Sequence, residues 1–147
     1  MTTGERLLIE QARKLLSATV RRGRTLTSPD EVRDFLLFTL ALREQEVFGV
    51  LLLDNRNRVL LWRELFYGTL NQTAVYPREV VKLALQHNAA ALILVHNHPS
   101  GHPEASDADV ALTRQLKQAM ALIDVRIPDH FIVAGDHTVS MAERGLL

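Results

Sequence analysis

Apolar positions along the chain change period several times, and each change marks an element. Leu7, Leu8, Ala12, Leu15, Leu16 and Val20 recur near helical spacing across residues 4–20, which predicts an amphipathic N-terminal helix followed by a basic polar link, RRGRTLT. Ser28-Pro29-Asp30-Glu31 has the form of a helix start, with serine at the cap, proline at the first helical position and glutamate placed to close a capping box; the helix is expected to run to about Arg43. Val47 to Leu53 reads as a buried strand, Asp54-Asn55-Arg56-Asn57 as a hairpin turn, and Arg58 to Glu64 as the partner strand. Asn71 to Val75 is expected as a further short strand, and Pro77 opens a helix reaching about His87. Ala89 to Val95 is a continuous apolar run, the profile of a central strand covered on both faces. Ser106 to about Ile123 reads as a helix, and Phe131 to Val133 with Thr138 to Met141 as a last hairpin around Gly135-Asp136. Strands and helices interleave without a strict βαβ rhythm, so the expected class is α/β or α+β, a sandwich with a mixed sheet.

Bulk composition narrows the functional classes. At 147 residues and 47% apolar content the chain has room for one domain with a real core, and no repeat or low-complexity segment interrupts it. Its formal net charge is zero, so it is not an electrostatic clamp for nucleic acid or anionic membrane; the basic lean of the first residues is most simply a solvated helix face. The absence of cysteine removes disulfides, thiol nucleophiles and thiolate metal sites together, so any metal must be held by imidazole and carboxylate. The N-terminus has the form of neither a signal peptide nor an anchor, and the apolar runs are far short of a membrane span, so a soluble cytoplasmic protein is expected.

The chemistry concentrates in VHNHPSGHPEASDADV, Val95 to Val110. At a strand end, residues i and i+2 point to one side, so His96 and His98 can present imidazoles to a single point while Asn97 faces away. The following helix carries Asp109 in its first turn, where it can return as a third ligand. Two histidines and a carboxylate with a fourth position left for water describe a catalytic zinc site rather than a structural one. Ser106 and Asp109 also read as a capping pair, and the cap and ligand roles are compatible. His102 and Asp107 lie in the same loop but break the spacing. His87 reads as a dipole partner near a helix C-terminus, Asp129-His130 as structural or as support behind the ligands, and Trp62, Phe66 and Tyr67 as core or pocket wall. Arg78-Glu79 reads as an ion pair near the site. The letters HNH also name a nuclease motif, but that motif is spread over a longer segment. No Walker-type phosphate loop and no G-x-S-x-G elbow occurs, and a zinc deaminase would need cysteines.

His96-x-His98, seven intervening residues, Ser106, two more and Asp109 are similar to the JAMM signature of MPN-type metallopeptidases. More narrowly, GTLNQTAVYPREVVKLALQHNAAALILVHNHPSG, followed by DADVALTRQL, IPDHFIV and SMAERG, resembles the RadC family of bacterial proteins from about Ser28 to Leu147. The resemblance implies an N-terminal helix and linker over 1–27, then a JAMM/MPN-like, cytidine-deaminase-like sandwich over 28–147. It implies one zinc on His96, His98 and Asp109, Ser106 stabilising an oxyanion, and a glutamate at the edge of an early strand activating water. Glu46, just before Val47-Phe48-Gly49, has that place; Glu44, Glu64 and Glu79 do not open a buried strand so directly. Ala105 stands where family members often carry proline. Longer RadC proteins carry an N-terminal helix-hairpin-helix segment associated with DNA binding, which this chain is expected to lack. The implied activity is zinc-dependent hydrolysis of a peptide or isopeptide bond in a protein or peptide substrate. The alternative is a DNA-repair or mobile-element accessory protein whose metal site is structural or vestigial.

Overall fold

A computed structural model describes residues 1–17, 23–26, 29–68 and 73–147 of the chain. In order the elements are α1 (Thr3–Ser17), α2 (Pro29–Leu40), β1 (Val47–Leu53), β2 (Val59–Tyr67), α3 (Pro77–Gln86), β3 (Ala91–Asn97), α4 (Asp107–Ala121), β4 (Arg126–Ala134) and β5 (His137–Ser140). Local chemistry explains most of the boundaries. The β1–β2 turn is held by Asp54, whose Oδ1 accepts the N–H groups of Arg56 and Arg58 at 2.9 Å each, while Asn57 takes the left-handed conformation at φ 59°. α3 opens on Pro77, pre-set for the first turn, and closes at His87, whose ring Nδ1 lies 3.1 Å from the Leu83 carbonyl as a partner for the helix end.

The described strands form one mixed sheet in the order β2-β1-β3-β4-β5. β1 runs antiparallel to both β2 and β3, β3 and β4 are parallel, and β5 closes an antiparallel hairpin with β4. A parallel pair needs a crossover, and α4 provides it. The architecture is therefore α+β with a mixed sheet, the class expected from the pattern.

Every residue of β1 and β3 is buried, because the sheet is covered on both faces. The period of two sorts them: Val47, Leu51, Leu53, Ile93 and Val95 pack with Val32, Phe35, Leu36 and Leu40 of α2. Phe48, Val50, Leu52, Leu92 and Leu94 pack with Val80, Leu83 and Ala84 of α3 and with Leu116 and Met120 of α4. Each fully buried side chain of this size contributes roughly 1.5–3 kcal/mol, so the two half-cores make the central strands a rigid platform. By the same alternation His96 falls on the α4 face.

Several expected boundaries move, each for a physical reason. β3 begins two residues later than expected, since Ala89 N–H bonds back to Ala84 O at 3.0 Å and completes the end of α3; it runs on through His96 and Asn97 because they pair with Ile132 and Val133. β4 begins at Arg126 rather than near Phe131, because ladder pairing with β3 does not require apolar side chains and Arg126 and Pro128 are exposed. β2 extends to Tyr67 through pairing with Val47 and Phe48. Thr73 to Val75 form no strand, and Asn71 and Gln72 lie outside the described residues, as do the Ser28 cap and positions 18–20 of the first helix. No helix among the described residues is long and apolar enough to cross a membrane.

Candidate metal centre

The site is built where β3 ends and α4 begins. The His98 N–H donates to Val133 O at 2.8 Å, so the ladder holds His98 one residue past the strand and the sheet sets its direction. Pro99-Ser100-Gly101 then reverses the chain, with Gly101 N–H on His98 O at 3.0 Å and Gly101 at φ 85°, a conformation that glycine takes without Cβ strain. The reversal brings the His102 carbonyl 2.7 Å from His98 Nδ1, which donates to it. α4 starts on a complete capping box: Ser106 Oγ accepts the Asp109 N–H at 3.0 Å, and Asp109 Oδ2 accepts the Ser106 N–H at 2.9 Å. Capping thus orients the Asp109 carboxylate toward the histidines.

His96 Nε2 lies 2.8 Å from His98 Nε2 and 3.2 Å from Asp109 Oδ1, and His98 Nε2 lies 3.1 Å from Asp109 Oδ2. One ligand atom from each of the three lies within 4.8 Å of the others, and the group could hold a metal ion. Two imidazole nitrogens and a carboxylate suit a divalent ion of the transition series. Glu46 and Ser106 line the same cleft, of about 480 Å³, with Phe48, Val75 and Leu112 among its apolar walls.

The discounted residues also have places. His102 gives His98 its carbonyl, and neither its ring nor Asp107 belongs to the three-residue group. Glu64 is paired with Arg43 at 2.8 Å, Glu79 with Lys82 at 3.6 Å, and Glu44 is exposed; among the described residues none of these three lines the cleft. Trp62 packs edge-on against Phe35 at 5.9 Å between ring centres, Phe66 lies 6.0 Å from Phe48, and Tyr67 is exposed. Arg78 and Glu79 meet at 4.0 Å on an open surface outside the cleft lining.

The sequence left Asn97 without a role and gave His130 a part as structural or as support behind the ligands without naming its partners. Asn97 faces away from its neighbours, as expected, but it is buried and works there: its Oδ1 accepts the Val47 N–H at 2.6 Å and its Nδ2 donates to Gln45 O at 3.1 Å, gripping the chain on either side of Glu46. Behind His96, its Nδ1 lies 2.7 Å from His130 Nε2, and His130 Nδ1 lies 2.7 Å from Thr113 Oγ1. A Thr four residues after Asp109 on one helix was the available signal for its half of this contact.

A family model for the RadC-like JAB domain matches residues 26–146. The chain belongs to the RadC family. A UPF0758 protein of Ralstonia nicotianae is 54% identical over 138 residues, covering 94% of this chain and 62% of that protein. One from Methylibium petroleiphilum is 56% identical over 140 residues, covering 95% of this chain and 63% of its own length, and one from Thiobacillus denitrificans is 54% identical over 140 residues, covering 95% and 62%. The chain therefore spans a little under two thirds of these relatives.

Within this RadC domain the electrostatics follow from burial and the Asp109 charge. Burial alone would raise the Asp109 carboxyl, but contacts with His96 and His98 and the Ser106 N–H outweigh it and hold the group well below the usual carboxylate range. The Asp109 carboxylate raises the His98 imidazole above its ordinary value, against the effect of burial. Burial pushes Glu46 up, with the nearby histidines opposing. Burial also pushes His130 well down, so its ring stays neutral.

Proposed function

We propose that this chain is a zinc-dependent hydrolase of peptide or isopeptide bonds. The observation that carries the reading is the convergence of His96 Nε2, His98 Nε2 and Asp109 on one point of a cleft that Glu46 and Ser106 also line. Three nitrogen and oxygen ligands opening onto a cleft are the pattern of a catalytic rather than a structural zinc site. When bound, zinc supplies Lewis-acid chemistry, lowering the pKa of water and polarising a carbonyl.

The protein's own groups do the rest. Glu46 accepts the proton of the attacking water and returns it to the leaving amine nitrogen; its burial favours the protonated form it must pass through. Ser106 Oγ already accepts the Asp109 N–H, which leaves its own hydrogen for the carbonyl oxygen as negative charge develops there. The cleft lining contains Glu46, Glu104 and Asp109 and, among the described residues, neither lysine nor arginine. That balance favours a neutral or cationic peptide over a nucleic-acid backbone, which needs basic groups.

Elemental analysis of untagged protein, beside His98→Ala, tests the reading. About one zinc per chain, lost in the variant, is the expected result. Failure to bind zinc even after reconstitution would overturn it, and bound zinc would direct the search to amide substrates.

A further inference from the structure

We propose that Thr113 and His130 are positioning residues that fix His96 in the tautomer whose bare Nε2 faces His98 and Asp109. The inference rests on the metal-centre reading and adds two residues to it. It follows from counting hydrogens along three contacts.

Thr113 Oγ1 lies 2.7 Å from the Asp109 carbonyl oxygen. A carbonyl has no hydrogen to give, so the hydroxyl donates its single one there. Met141 Sδ, at 3.8 Å from the same hydroxyl, is a weak acceptor and competes poorly. With that hydrogen committed, the 2.7 Å contact between Thr113 Oγ1 and His130 Nδ1 must be made by a ring N–H donating to the hydroxyl oxygen. His130 is sealed from solvent and carries one ring proton, so its Nε2 is a bare acceptor. His96 Nδ1, 2.7 Å from it, must therefore bring the hydrogen. That leaves the lone pair of His96 at Nε2, the atom 3.2 Å from Asp109 Oδ1.

The relay closes on itself. It starts at the backbone carbonyl of Asp109, passes through Thr113, His130 and His96, and returns to the Asp109 carboxylate. His98 receives the same instruction more simply, from the His102 carbonyl on its Nδ1. Phe48 packs edge-on against the His130 ring at 6.0 Å between centres, which opposes a ring flip that would exchange the two nitrogens. Both imidazoles are thereby committed to offer Nε2, as outer partners of metal-bound histidines do.

The test uses three variants of the whole chain and two readouts. Thr113→Val removes the hydroxyl at nearly constant volume. His130→Phe keeps a ring but removes the acceptor, and His130→Gln restores an acceptor where Nε2 lies. Long-range ¹H–¹⁵N NMR of the metal-free protein at mildly alkaline pH reads the tautomer of His96 directly, and chelator competition reads zinc affinity. In the wild-type protein His96 should be protonated on Nδ1 and bare on Nε2. Thr113→Val and His130→Phe should mix the tautomers and weaken zinc binding about 10–100-fold, the usual scale for outer-partner loss. His130→Gln should recover most of the affinity. A His96 protonated on Nε2 in the wild-type protein, or unchanged zinc affinity in folded Thr113→Val and His130→Phe, overturns the relay. Failure of the wild-type chain to bind zinc overturns the metal reading on which it rests, and the NMR measurement still decides the tautomer by itself.

Discussion

Replacing Gly49 with alanine should destabilise the fold without touching the metal centre. A Cβ built on Gly49 would sit 2.5 Å from Trp62 Cη2, 3.0 Å from Trp62 Cζ2 and 3.1 Å from the Arg63 carbonyl oxygen. The indole is partly exposed, so it can tilt outward, but doing so disturbs its edge contact with Phe35 in the α2 half-core. The Arg63 oxygen belongs to the β2 backbone and has no such freedom. Overpacking of this kind costs about 1–3 kcal/mol, and the lower backbone entropy of an unfolded alanine chain offsets about 0.4–1 of that. The net expectation is a loss of about 1–2 kcal/mol, or roughly 3–8 °C in Tm for a domain of this size. Urea denaturation followed by fluorescence reports from the site itself, since Trp62 is the chain's single tryptophan, and far-UV circular dichroism gives an independent probe. In a Trp62→Leu background the same substitution should cost less, the part due to the Arg63 oxygen remaining. Wild-type stability of Gly49→Ala, or an undiminished cost beside Trp62→Leu, would refute the account. Gly49 shares the α2 side of the sheet with Val47 and Leu51, so zinc content should not change.

Glu46→Gln should retain zinc while turnover of an amide substrate falls by at least about 100-fold, the lower end of what a positioned base contributes; equal activity would remove Glu46 from the mechanism. Ser106→Ala removes the acceptor of the Asp109 N–H and should cost about 1 kcal/mol in a thermal melt, with a drop in turnover greater than that in zinc affinity. Zinc affinity should also fall with acidification, beginning above pH 6.5, because a proton on His98, whose folded pKa is raised above that value, competes with the ion. Asp109 is held so low that it adds no loss in this window. The metal-free protein should respond with the opposite sign. A raised folded pKa stabilises the protonated form, so stability rises as pH falls through the His98 value; it declines below 6.5, where His130, held neutral by burial, opposes protonation. Denaturation curves across about pH 5 to 9, set beside chelator competition over the same range, separate the two trends.

The parts of this molecule legible in its sequence are those where side-chain chemistry alone dictates the outcome. Val47 to Leu53 could be placed as a buried strand because a layer covered on both faces needs unbroken apolar residues. His96, His98, Ser106 and Asp109 could be singled out because strand alternation and a helix cap bring those residue types together from short range. The first half of β4 was hidden, since its one buried apolar residue, Ile127, stands between exposed Arg126 and Pro128, too short a pattern to mark a strand that is held by backbone pairing with β3. Thr113 and His130 were hidden in their partnership for the same reason. Their contact is made across the packing of α4 on β4, and no local spacing encodes it.

Asn97 makes one wall of the cleft rigid. Its side chain fastens residues 45 and 47 to the strand that carries His96, so Glu46 and the two imidazoles ride on a single block of hydrogen-bonded sheet. Opening or tightening the distance between the glutamate and the histidines would require tearing buried ladder bonds. The segment from Pro99 to Ala105 is held by fewer bonds, at the sheet, at the α4 cap and through the His102 carbonyl on His98 Nδ1. Any adjustment of the cleft to a bound chain must therefore come from its other walls, that segment or the stretch that carries Thr73 and Val75, while the reacting groups stay in register.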